Sequence, residues 1–165
     1  MASTTEEKLT IALDDDLSAD ERREVGLRII ENILDRTEDG VRPDTGEAYP
    51  SYSDSYKNSS AYKAFKSSDT PNLRLFGNMM ANLQVLSVGP SSVTIGFTGE
   101  QAQKSVWNSA NNKRVHIAVS EADLAAFQSE VRSERQQEED AEAASIFNTL
   151  IANQIIDLFG GNDAS

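Results

Sequence analysis

Asp35, Thr37, Asp39 and Gly40 are the first residues of the chain whose types and spacing could do chemistry, because they echo the opening of a calcium loop. Such a loop closes on a bidentate Glu at its twelfth position, where this chain has Gly46, so the spacing reads as a solvated turn. Asp14, Asp15 and Asp16 precede a helix start and suit the positive end of its dipole. His116 is the single histidine, which excludes a His-rich metal site within one copy, and no nucleophile motif supplies it with a serine. In the alternation Arg114-Val115-His116-Ile117-Ala118-Val119 it shares a face with Arg114 and Ala118, opposite the apolar set, and so reads as an exposed strand histidine. No spacing singles out a pair of carboxylates, and a Gly-rich phosphate loop is absent. The expectation is a protein that is not an enzyme, with no cofactor and no metal.

Trp107 and the series Tyr49, Tyr52, Tyr56 and Tyr62 could stack on bases or line an interface. Stacking platforms come with a cationic groove, and Lys57, Lys63 and Lys66 make only a small basic patch. Core packing or an interface therefore fits the aromatics better, with Trp107, Tyr49 and Tyr52 as interface candidates.

The charge balance narrows the partners. A formal charge of −12 opposes a grip on duplex DNA, which rests on Lys and Arg neutralising phosphates, and disfavours anionic membrane surfaces. Zero cysteines exclude a disulfide framework, a thiolate nucleophile and sulfur-rich zinc sites. The apolar runs fall short of the ~18 to 20 residues that span a bilayer, and the first residues lack a basic stretch followed by an apolar one. At 165 residues with 38% hydrophobic content, one domain with appendages is expected.

The elements follow from periodicity. Lys8 to Leu13 alternates as a first strand, and Ser18 with Glu21 forms a capping box behind the staple residue Leu17. The helix that starts there carries Val25, Ile29, Ile30, Ile33 and Leu34 on one face and stops between Arg36 and Gly40. Thr37 to Ser51 is turn chemistry and reads as a long loop, followed by a short weak helix around Tyr56 and Tyr62 and another over Leu73 to Ala81. Leu83 to Val88 and Ser92 to Thr98 form a hairpin, Gly99 to Ala110 a helix carrying Ala102, Val106 and Trp107, and Arg114 to Val119 a fourth strand. Ser120 and Asp123 cap a last helix that begins with Leu124, Phe127 and Val131.

The expected fold class is thus α/β (α+β), a small mixed or antiparallel sheet of about four strands packed with helices, plus a C-terminal helical extension. The expected division is a domain over 1–133 and, over 134–165, an acidic linker with an amphipathic helix. On that helix Ile146, Phe147, Leu150, Ile151, Ile155, Leu158 and Phe159 fall on one wide stripe, which Gly160-Gly161 terminates. The stripe needs a host surface, either its own domain or a neighbouring copy. A membrane is a poor host, because no Lys or Arg lies between Gln136 and Ser165.

The order of these pieces resembles that of the tail-completion proteins, or tail terminators, of tailed bacteriophages. Carrying the resemblance, from about Leu9 to Val131, are I-L-D-R-T-E-D-G closing the first helix, P-S-Y-S-D-S-Y-K, P-N-L-R-L-F-G-N-M-M-A-N-L, V-T-I-G-F in the hairpin, and K-R-V-H-I-A-V-S-E-A-D. Tyr49 stands where the family more commonly has Trp, and Phe76 where it has Thr before the glycine. The resemblance implies a structural virion subunit at the phage neck, made in the host cytoplasm. Roughly six copies would form a homo-oligomeric ring that ends the tail tube and meets the head connector. DNA would pass through without specific binding, helped by the negative charge. A head-closure or adaptor protein of the same neck is the alternative, with a small acidic enzyme or regulator behind it.

Overall fold

The computed structural model describes residues 7–65, 69–71, 79–112 and 114–159. It is an α+β fold in which the order is β1 (Glu7–Ala12), α1 (Ala19–Glu38), α2 (Asp54–Lys57), α3 (Ser60–Phe65), a 3-10 turn (Met80–Asn82), β2 (Gln84–Gly89), β3 (Ser92–Phe97), α4 (Gly99–Asn112) and α5 (Glu121–Phe159). Most of the expected helix over Leu73 to Ala81 lies outside the described residues, as does the Gly160-Gly161 stop. Two compact units result, Met1–Gln128 and Ser129–Ser165.

The first unit is built on a three-stranded antiparallel sheet of order β1-β3-β2. Residues paired across a ladder share a face. The pairs Glu7 with Phe97, Leu9 with Ile95 and Ile11 with Val93 therefore make one face with Val85 and Val88 from β2. Both α1 and α4 pack on the sheet. Val93, Ile95 and Phe97 are wholly buried there together with Val25, Ile29 and Ile33 of α1. The other face carries Lys8, Thr10, Ala12, Gln84 and Ser87, all exposed, with a Thr10–Thr94 hydroxyl contact of 3.0 Å at its centre. One dry face and one wet face explain why the strands alternate. The ladder between β2 and β3 slips between Val85 and Ser87.

Helix α1 begins as its capping box dictates. The Ser18 hydroxyl accepts from the Glu21 amide at 3.2 Å, and the Glu21 carboxylate accepts from the Ser18 amide at 2.7 Å. It ends in a Schellman motif, with Gly40 N–H on Thr37 O and Val41 N–H on Arg36 O, at 3.1 and 3.0 Å. That geometry needs the left-handed backbone which Gly40 adopts at φ 77°. Midway, Gly26 lets the helix approach β3, since a Cβ there would lie 2.7 Å from Val93 Cγ2.

The segment after α1 is a loop, as expected, and it is closed on itself: Val41 bridges Ala48, Arg42 N–H bonds Glu47 O at 2.8 Å, and Tyr49 N–H returns to Gly40 O at 2.8 Å. The fourth strand is absent, because 114–120 runs beside the sheet without a ladder partner among the described residues. Its Arg114 and Val115 carbonyls are engaged by side chains instead, as described below.

Helix α5 continues through 134–142, where a linker was expected. Glu, Gln, Arg and Ala are good helix formers, and no Gly or Pro interrupts them. Its start is capped as predicted, with Asp123 N–H on Ser120 Oγ at 3.0 Å. Gln128 then fastens its first turns to the end of β1 by accepting from Asp14 N–H at 2.8 Å.

Candidate functional site

Two constellations stand out, one sealed in the first unit and one exposed on the second. The sealed one gathers around the 114–120 segment. Tyr49 Oη donates to Val115 O at 3.0 Å, and burial pushes its phenol up to about 12. The Arg114 guanidinium lies 5.0 Å from the centre of the Tyr52 ring and donates to Pro50 O at 3.3 Å. Tyr52, Tyr56 and Tyr62 meet one another with ring centroids 5.1 to 5.7 Å apart. Tyr49 and Tyr52 are buried, so these two interface candidates are core residues. The segment's alternation is real but inverted: Arg114 and His116 point inward, while Val115, Ile117 and Val119 are partly exposed.

Inside this knot His116 Nε2 lies 2.5 Å from Ser105 Oγ on α4, and His116 Nδ1 lies 2.7 Å from Arg114 O. A carbonyl only accepts, so Nδ1 carries the proton and Nε2 accepts from the Ser105 hydroxyl. A serine paired with a histidine base has the geometry of an activated nucleophile. Here both residues are wholly buried, with the Phe97 ring 6.1 Å from the imidazole, so the pair fastens α4 to the 114–120 segment. Burial lowers the His116 pKa, with the Arg114 carbonyl and the charge of Glu7 acting against it. The unfolded chain therefore takes up a proton at higher pH than the folded one. Stability from this group is whole above the ordinary histidine value of about 6.5 and is lost as pH falls toward the lowered folded value. Melting temperatures measured from about pH 7.5 down to about pH 5.5 are expected to fall, and to fall less in His116→Asn, which has no titrating ring. Equal falls would show that His116 is not the group responsible.

The calcium-like residues do not converge. Asp35 and Thr37 lie in the last turns of α1, and Asp39 is its C-cap. Asp44, further along, is held by Arg42 through contacts of 2.8 and 3.1 Å, a hydrogen-bonded pairing that lowers its carboxyl pKa. Arg36 spans from Pro43 O at 2.9 Å to the Asp123 carboxylate at 2.9 Å, joining α1, the bridged segment and the start of α5. Among the described residues no cluster of three or more metal-ligating side chains occurs.

The exposed constellation is the end of α5. Ile146, Phe147, Leu150, Ile151, Ile155 and Leu158 are between 40% and 78% exposed. Ile156 is exposed at 65% and was not foreseen, because it lies behind the stripe. Phe159 ends the helix, and its side chain is outside the described residues. On the polar side of the helix Thr149 Oγ1 donates to Ser145 O at 3.0 Å. Covering the six stripe residues would contribute roughly 9 to 18 kcal/mol gross, against about 4 to 15 kcal/mol for bringing two chains together. Trp107 is 58% exposed on α4, with Val106 beside it, so this interface candidate does lie at the surface, whereas the helix's inner side uses Ala102 and Ser105.

Among the described residues no helix is long and apolar enough to cross a membrane. Compared with known proteins, the chain matches no family model, no curated protein and no solved structure, so its function has to be read from its own residues.

Proposed function

We propose that this chain is a structural, self-associating subunit of the head-tail junction of a tailed phage. Copies form a ring that ends the tail tube, joins it to the head connector and leaves a passage for DNA. The observation that carries this reading is the contiguous apolar face near the end of α5, exposed on a chain whose formal charge is −12. A face of that size on an otherwise acidic protein is what an assembly contact requires. The more specific neck assignment is supported by the sequence of first helix, hairpin, helix and capped helix, which follow one another in the expected order although the strand expected over Arg114 to Val119 does not form. Burial of the Ser105–His116 pair supports a non-catalytic role, because no substrate reaches it.

Native mass measurement tests the reading. The full chain is expected as a ring of roughly six 18.0 kDa copies, and deletion of Glu142–Ser165 as smaller species. A monodisperse full-length monomer overturns self-association. Assembly that survives the deletion assigns the contact to another surface. A virion reconstruction with the chain at the neck, cross-linking to tube protein, separates a terminator from a head-closure protein, which would cross-link to the portal.

A further inference from the structure

Within the exposed face of α5, Phe147, Ile151, Gln154 and Leu158 follow at spacings of four, three and four residues, flanked by Leu150 and Ile155. This is the spacing of a two-helix seam, and it is about 17 Å long. Gln154 is the one polar residue in it. Upstream lie Glu138, Glu139, Asp140 and Glu142, and no cation follows Arg135.

We propose that the seam is covered by the same seam of a second copy, running antiparallel about a two-fold axis level with Ala152 and Asn153. The inference rests on the self-association proposed above and names its contact. In this register Phe147 faces the other copy's Leu158, and Ile151 faces its Gln154. The two Gln154 amides then lie about one turn apart beside the axis, where they can hydrogen-bond.

Three properties of the helix select this occupant. The first is size: each half-exposed Leu, Ile or Phe offers on the order of 100 Å², so five per copy give about 1,000 Å² in a pair, the threshold for a specific contact. The second is charge. A parallel pair lays Glu138 to Glu142 of both copies side by side, whereas the antiparallel pair carries each acidic stretch beyond the other helix's end at Phe159. The third is composition: with no Lys or Arg from Gln136 onward, an anionic membrane is repelled, while an uncharged seam matches its own copy. Paired helices join copies two by two, so six copies would be three pairs.

The chain has no cysteine, so Glu142→Cys carries a single spin label per protomer. In the assembled full chain the labels are expected about 30 Å apart along the antiparallel pair, against roughly 10 Å for a parallel one. A short distance overturns the orientation. Leu150→Glu, a substitution at an exposed position that leaves the first unit untouched, is expected to abolish the 30 Å distance and halve the mass or more. If the mass and distance survive Leu150→Glu, the seam is wrong and the ring reading stands. If the parent chain is monomeric, both fall together.

Discussion

Phe97→Ala is expected to lower unfolding stability by about 3 to 5 kcal/mol, a large share of the roughly 5 to 15 kcal/mol that holds a domain of this kind together. Phe97 is wholly buried at the end of the central strand, directly across from Glu7 and 6.1 Å from the His116 ring. It therefore fills the place where the sheet meets the 114–120 segment, and β1 is further tied to α4 there by Ser109 Oγ donating to Glu7 at 3.0 Å. Strands on a ladder cannot slide together to close the hole, so the cavity remains. Urea unfolding should show a lower midpoint with an unchanged slope, since the exposed area on unfolding hardly differs. A loss under about 1 kcal/mol would mean that the ring contributes little packing.

Gly96→Val should cost about as much by the opposite mechanism. A Cβ at Gly96 would sit 2.4 Å from the Glu7 carbonyl oxygen and 2.8 Å from Lys8 Cα, both backbone atoms of the adjoining strand. Neither can rotate away, so β1 must separate from β3, and a penalty of about 3 kcal/mol or more is expected. Gly46→Ala makes the contrast: its φ is 73° but nothing lies within 4 Å, so only backbone strain of about 1 kcal/mol applies. Thermal melts of the two variants should separate clearly. Equal shifts would remove the close strand approach as the cause.

The elements most legible in the sequence were those whose signals are local. Ser18 and Glu21 announced α1, Leu17 is buried ahead of them, and the alternation of Val93, Ile95 and Phe97 named both β3 and its dry face. Arg114 to Val119 misled for a physical reason. Alternation records which side chains face inward but says nothing about ladder partners, and here the Val115 and Arg114 carbonyls accept from Tyr49 and His116 instead. The inward face was also misassigned, since an arginine and a histidine enter the interior only when an aromatic ring, a backbone carbonyl and a serine wait for them. Those partners come from positions 50, 52 and 105, separations that no local pattern encodes. For the same reason the sequence left Tyr49 and Tyr52 between core packing and an interface, and only their distant partners decide for the core. The stripe on α5 was visible because helical spacing is local, and Ile156 escaped because it breaks that spacing.

The slip between Val85 and Ser87 has a bearing on how this molecule avoids its own kind. It throws the hydrogen-bonding groups of the β2 rim out of step, and on the opposite rim the six-residue β1 is short and carries Lys8. A strand from another molecule finds no long, flat row to copy, so the sheet resists fibrous stacking. If copies associate as proposed above, blunted sheet rims leave the exposed face of α5, rather than strand-on-strand growth, as their contact.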